Sequence, residues 1–232
     1  DRATQLTVEV SGGELTSATD VQMLAGRNAA AVRNASGQWE VLQFETAELT
    51  APGTYRLSGL LRGQAGTEPA MTATVAAGAP FVILDQSRAV VPIRIDEIGL
   101  PYQWKYGPAS RNIGDATFAS TTHSFVGAGL RPLSPVHVRS DRDHAAGGDL
   151  SIWWTRRTRI GGDSWEVSEV PLGESIEAYE VDILDGAAVV RTLAASAPSV
   201  VYGLAEQVAD FGSVQPAYAV RVHQMSSVTG RG

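Results

Sequence analysis

The stretch Leu150-Ser151-Ile152-Trp153-Trp154-Thr155 decides the fold. Leu150, Ile152 and Trp154 alternate with Ser151, Trp153 and Thr155. A period of two places one set on a core face and the other on the opposite face of a β-strand. The pattern extends on both sides. Val136-Val138 reads as a strand before it, and Ile176, Tyr179, Val181 and Ile183 as one after it. Val189-Val190 and Val200-Val201 give shorter strands. Tyr218, Val220 and Val222 give another, with Ala219 and Arg221 facing out.

The same period runs through the first half. Leu6, Val8 and Val10 alternate with Thr7 and Glu9. Glu40, Leu42 and Phe44 alternate with Val41, Gln43 and Glu45, giving a two-faced strand. Tyr55, Leu57, Gly59 and Leu61 continue the pattern, so that Leu61 faces the core, Arg62 the surface, and Gly63 opens a turn. Phe81-Val82-Ile83-Leu84 is a short apolar run suited to a buried strand. Val90 to Ile95 reads as a strand whose Pro92 favours an edge or a bulge. Turn residues separate these runs, as in Ser11-Gly12-Gly13 and Ala51-Pro52-Gly53. No stretch predicts an amphipathic helix longer than two turns, and Ala29–Ala31 is too short for one. Short, regularly spaced strands with turns between them predict an all-β chain.

Leu130-Arg131-Pro132-Leu133-Ser134-Pro135 marks a domain boundary, because two prolines three residues apart stiffen an extended linker. The expected organisation is a β-rich sandwich- or barrel-like domain over 1–132, then a β-sandwich over 133–232. At 232 residues, two modest cores fit the length.

Composition removes several function classes. The net charge is −7, from 18 basic and 25 acidic residues, which argues against a nucleic-acid surface. Lys105 is the single lysine among the basic residues, an imbalance expected of GC-rich coding. There is no cysteine, hence no disulfide, zinc–thiolate site or thiol nucleophile. No apolar run approaches the ~18–20 residues of a membrane-spanning helix. The opening at Asp1, without a methionine or signal pattern, is expected of a processed product or a piece of a longer protein.

One cluster carries binding chemistry. Arg156, Arg157 and Arg159 follow the tryptophan strand, with Trp153 before them and Trp165 after. Guanidinium forks clamp carboxylates or acidic glycans, and indole faces stack on sugar rings. The plainer reading is a long hairpin whose arginines pair with Glu166, Glu169, Glu174 and Glu177. Docking on a neighbouring subunit is a third use, since Trp and Arg are enriched at interfaces.

Other candidates are weaker. From Asp141, the sixth place of a calcium loop is Ala146 and the twelfth is Ile152, so the loop through Asp143, His144 and Asp149 fails the pattern. His123, His137, His144 and His223 show no zinc-ligand spacing and no neighbouring nucleophile motif. Adjacent Asp96 and Glu97 would point to opposite faces of a strand, and Asp85 and Asp115 are no better supported. The glycines of Arg62-Gly63-Gln64-Ala65-Gly66 lack the strand–turn–helix setting of a phosphate loop. No enzyme activity, cofactor or metal is expected.

The buried tryptophan of Leu-x-Ile-x-Trp and the later Tyr-x-Val-x-Val make residues 133–232 resemble a fibronectin type III domain. The leucine such a domain carries shortly before this tyrosine is missing. Leu204 lies further back, so that connection is lengthened. The last strand would begin at Gly230-Arg231-Gly232, so the sandwich is expected to lack its closing strand unless a partner segment supplies it.

A wider resemblance rests on an ordered set of stretches. They are Trp39–Phe44 with Ala47-Glu48-Leu49, Tyr55–Gln64 with Gly66-Thr67-Glu68, and Leu130–His137. Trp154–Ile160 with Asp163–Glu166, Val170–Glu174, Glu177-Ala178-Tyr179 and Ala209–Gly212 follow. In this order they are similar to the C-terminal region of the large baseplate "megatron", or host-specificity, proteins of gene transfer agents and related siphophage tails. The resemblance implies a structural tail-tip subunit located in the virion and assembled in the bacterial cytoplasm. It implies a homotrimer that contacts hub and distal tail proteins and engages a host surface glycan or envelope receptor. It supplies no catalytic residue for these positions. A surface-glycan binding module and an accessory domain of a larger cell-wall hydrolase are the alternatives.

Overall fold

A computed structural model describes residues 1–85, 90–143, 147–162 and 170–232. The chain is all-β in class. It divides into two compact units, Asp1–Gly129 and Leu130–Gly232.

The first unit is built on β1 (Leu6–Glu9), β2 (Ala29–Arg33), β3 (Trp39–Ala51), β4 (Thr54–Gln64) and β5 (Phe81–Ile83). They form one antiparallel sheet in the order β1-β4-β3-β2-β5. Val8, Ala30, Val32, Leu42, Phe44, Tyr55, Leu57 and Leu60 close its core. Burial of these apolar side chains is the main term holding the sheet in place. A five-residue helix, α1 (Asp20–Leu24), is capped by Thr19, whose hydroxyl accepts from the Gln22 amide. Strand β2 was not visible as alternation because Ala30, Ala31 and Val32 are all buried.

Two expectations in this unit need correction. Leu60, not Leu61, is the core residue of β4, and Arg62 is mostly buried rather than on the surface. The cause is Gly59, at φ +66°, which changes the phase of the alternation between Leu57 and Leu60. A side chain there would also collide with Glu45 on the facing strand, whose Cβ would lie 2.7 Å away. Residues Val90–Ile95 form no strand. Val90 is exposed, and Ile95 opens a 3-10 turn with Asp96 and Glu97. Pro92 has no N–H to give a ladder. Beyond it, β6 (Pro101–Tyr106) and β7 (Ala119–Ser124) make a separate hairpin. The polar run Ala-Ser-Thr-Thr-His-Ser of β7 gave no hydrophobic signal.

The second unit contains β8 (Val136–Arg142), β9 (Leu150–Thr155), β10 (Tyr179–Asp185), β11 (Ala188–Ala195), β12 (Ser199–Tyr202), β13 (Ala219–Ser226) and β14 (Gly230–Arg231). They make two antiparallel sheets, β12-β9-β8 and β11-β10-β13-β14. One core joins Leu150, Ile152, Trp154 and Tyr202 from the first sheet to Tyr179, Val181, Ile183 and Val222 from the second. Trp154 meets Tyr179 edge-on, with ring centroids 5.1 Å apart. Ile176 lies outside β10 and is exposed.

The lengthened connection before Tyr218 is a helix, α2 (Leu204–Phe211). Glu206 accepts from the Gly203 amide at its start, and Gly212 at φ +75° ends it. The helix carries Gln207, fully buried, to one end of the sandwich. Its amide donates to Tyr202 O and Gly148 O, and its Oε1 accepts from Arg142 and Tyr218. Tyr218 Oη in turn accepts from the Gln215 amide, three residues upstream.

Candidate functional site

The arginine loop begins where β9 ends. Alternation along β9 sends Trp154 into the core and Trp153 to the other face, where it is 40% exposed. Trp153 lies between Ser199 of β12 and Arg139 of β8 in the ladder. Arg156, only 12% exposed at its side chain, donates to Pro171 O at 2.9 Å and Val170 O at 3.0 Å. It also approaches Glu177 Oε1 at 3.7 Å. Tyr179, beneath Trp154, donates to that same oxygen at 2.7 Å. Burial, with this bond to Glu177, pushes the Tyr179 phenol far above its ordinary range. Arg159 donates to Gly173 O at 2.9 Å and reaches Glu174 Oε1 at 3.3 Å, a carboxylate 6% exposed. Arg157 lies over the linker and donates to Ser134 O at 3.4 Å.

Arg156 and Arg159 are therefore brought together as clamps on the returning chain at 170–177. Trp153 stands apart on the strand face. Trp165 lies outside the described residues, as do Glu166 and Glu169. Chemically, a guanidinium bonded to backbone carbonyls fixes a loop where no regular strand supplies donors.

The remaining candidates occupy structural positions. Asp149 Oδ1 accepts from the Leu204 amide at the start of α2, and Asp141 accepts from the Arg142 amide. His144 lies outside the described residues. Among the described residues no group of three or more His, Cys, Asp or Glu is placed to hold a metal ion. Asp96 pairs with Arg94, and Glu97 accepts from the Arg94 amide. His123 packs on Phe125 edge-on at 5.0 Å. His137 sits at φ +52° where β8 shifts register against β9. No helix among the described residues is long and apolar enough to cross a membrane.

Sequence reasoning missed two buried carboxylates. Glu40 is 1% exposed and receives Arg62 through both oxygens, at 2.8 and 2.6 Å, together with the Gly63 amide. Asp182 is also 1% exposed and holds Thr192, Arg231 and, at 3.6 Å, His223. Burial opposes its ionisation. The bonds from Thr192 and Arg231, with the charges of Arg231 and His223, outweigh that and hold its carboxyl below the ordinary range. An acid flanked by Val181 and Ile183 in a strand was the available signal for Asp182.

Residues 1–82 match the family model described as Rcc01698-like, C-terminal. The match takes in β1 to β4 and all but the last residue of β5. No curated protein matches the chain.

Proposed function

We propose that this chain is a structural part of a phage-like tail tip or baseplate, of the gene transfer agent or siphophage kind, acting in the virion. The ordered resemblance supports this reading. Several of its stretches, from Trp39–Phe44 to Gly66-Thr67-Glu68, fall within the residues that match the family model. The observation that carries a structural role over a binding one is the arginine loop. Arg156 and Arg159 direct donors to carbonyls and carboxylates of their own loop, which makes them parts of a scaffold. The second unit is read as a fibronectin type III-like sandwich. The strand orders β12-β9-β8 and β11-β10-β13-β14 and the Tyr218 corner bond support that.

In this reading the partners are hub and distal tail subunits and two further copies of the chain. The test is to purify particles from a producing cell and probe them with an antibody to this chain. Label at the tail tip, with three copies per particle by quantitative mass spectrometry, is expected. Particles without the chain would overturn the proposal. The exposed face of Trp153 favours a second reading, a surface-glycan contact. There, Trp153→Ala would lower cell attachment while leaving particle assembly unchanged.

A further inference from the structure

A cleft of about 860 Å³ lies in the first unit, between the edge strand β1 and the irregular stretch 72–80 that leads into β5. Its volume is that of a small-molecule site. The stretch 72–80 is held at both ends. Thr72 O accepts from Arg62, and Pro80 O accepts from the Arg33 amide. Leu42 and Leu60 line the cleft from the core, and the partly buried Leu6, Val75 and Phe81 complete its apolar lining.

One polar group is left over in it. Arg62 lines the cleft, and a guanidinium carries five N–H donors. Nε donates to Glu40 Oε1, and Nη2 donates to Glu40 Oε2 and Thr72 O. The donors on Nη1 have no acceptor among the described residues. The Arg62 side chain is 16% exposed against 2% for Glu40, so the pair presents a donor to the cleft and no acceptor.

Charge decides what such a donor can take. Glu40 already balances Arg62, and an anion at Nη1 would crowd a second negative charge against that carboxylate. A cation finds no lone pair, because both Glu40 oxygens are bonded to Arg62 and Oε1 also accepts from the Gly63 amide. Glu9, the other charged residue of the lining, is exposed and screened by solvent. A neutral oxygen acceptor is the complement that remains.

We propose that this cleft binds a neutral amphipathic molecule. Its apolar body lies against Leu6, Val75 and Phe81, and its oxygen accepts a hydrogen bond from Arg62 Nη1. Burial of the body removes apolar area from water, and the bond from a charged donor fixes its orientation. The site goes beyond the tail-tip reading and does not depend on it.

The test titrates the 232-residue chain with three probes that share one alkyl chain and differ in head group. They are 1-octanol, octanoate and octylammonium, at neutral pH. Methyl NMR shifts of Leu6, Leu42 and Leu60 are the readout. Octanol is expected to saturate them and to bind about tenfold or more tightly than either charged probe. Arg62→Met combined with Glu40→Met keeps the cleft apolar without its donor, and should weaken octanol about tenfold. Val75→Trp fills the cleft from outside the sheet, and should abolish saturation while the first unit stays folded. Octanoate binding as tight as that of octanol would overturn the proposal. So would octanol binding that survives Val75→Trp or is unchanged in the double variant. If octanol has no effect and a free Leu-Thr-Val-Thr-Val peptide instead slows amide exchange at Thr7 and Glu9, the cleft takes an added strand along β1 and the proposal falls.

Discussion

Glu40 of the first unit and Asp182 of the second invite comparison, because each is a carboxylate 1% exposed within a β-sheet and each is held by one arginine. Their surroundings differ. Arg62, which holds Glu40, lies within the eleven-residue β4 and is itself only 16% exposed. Its guanidinium also donates to Thr72 O, so the pair pins the following chain against the sheet. Arg231, which holds Asp182, lies on a two-residue strand and is 42% exposed. The ion pairs of its guanidinium with Asp182 and Glu180 place the same chemistry on a much shorter support at the sheet edge. Buried charge thus marks the interior of a sheet in one unit and the fastening of an edge in the other.

The largest effect is expected where the charge would be stranded. Arg62→Ala leaves the Glu40 carboxylate buried without its partner, and should destabilise the first unit by about 3–5 kcal/mol in urea denaturation. Replacing both residues by methionine should recover most of that loss, because no lone charge remains. If the single and double variants unfold alike, the pair is not the reason for the loss.

Arg231→Ala should cost less, about 1–3 kcal/mol, because Thr192 still bonds Asp182. The same measurement on the second unit checks it. A cost equal to that of Arg62→Ala would erase the proposed contrast between interior and edge.

Acid should weaken the second unit. Asp182 titrates below its ordinary value of 3.8 in the folded state. So does Asp210, held down first by the Arg191 bonds and then by Tyr202, against the cost of burial. A carboxyl depressed on folding contributes stability that is fully present above its unfolded pKa and is lost as pH falls through the folded one. The second unit should therefore lose stability below about pH 4. The substitution Asp182→Asn should flatten that dependence, which a pH series of thermal midpoints would read.

The smallest effect belongs to Arg56 and Glu48 near the turn of the β3–β4 hairpin, whose side chains are 44% and 55% exposed. Glu48→Ala should change stability by about 0–1 kcal/mol, and less in high salt. A larger loss would mean that exposure is a poor guide to the worth of a pair in this molecule.

The same difference explains what the sequence made legible. Strands with one wet face, such as β9 and β13, show their period in the residues themselves. Burial on both faces hides β2, and polar composition hides β7. Gly59 moves the core position from Leu61 to Leu60, a change of phase that a fixed period misses. The helix α2 is only eight residues long, so its apolar positions Leu204, Val208 and Phe211 span barely two turns, too few to stand out from a lengthened connection. Of the candidate site, the cluster of Arg156 and Arg159 could be read as residues, but their partners are largely carbonyl oxygens. Carbonyls leave no mark in a sequence, so whether the arginines face a ligand or their own loop depended on the path of residues 170–177.

Gln207 carries a consequence for the order of folding. Its four bonds join residues as far apart as Arg142, 65 positions upstream, and Gly148, 59 positions upstream. These two cannot form until the chain between their ends has been wound into both sheets, and contacts of such long reach are made late because loop closure must come first. Truncating Gln207 is therefore expected to speed unfolding of the second unit far more than it slows refolding. That end of the sandwich would be the last to close during folding and an early place for it to open.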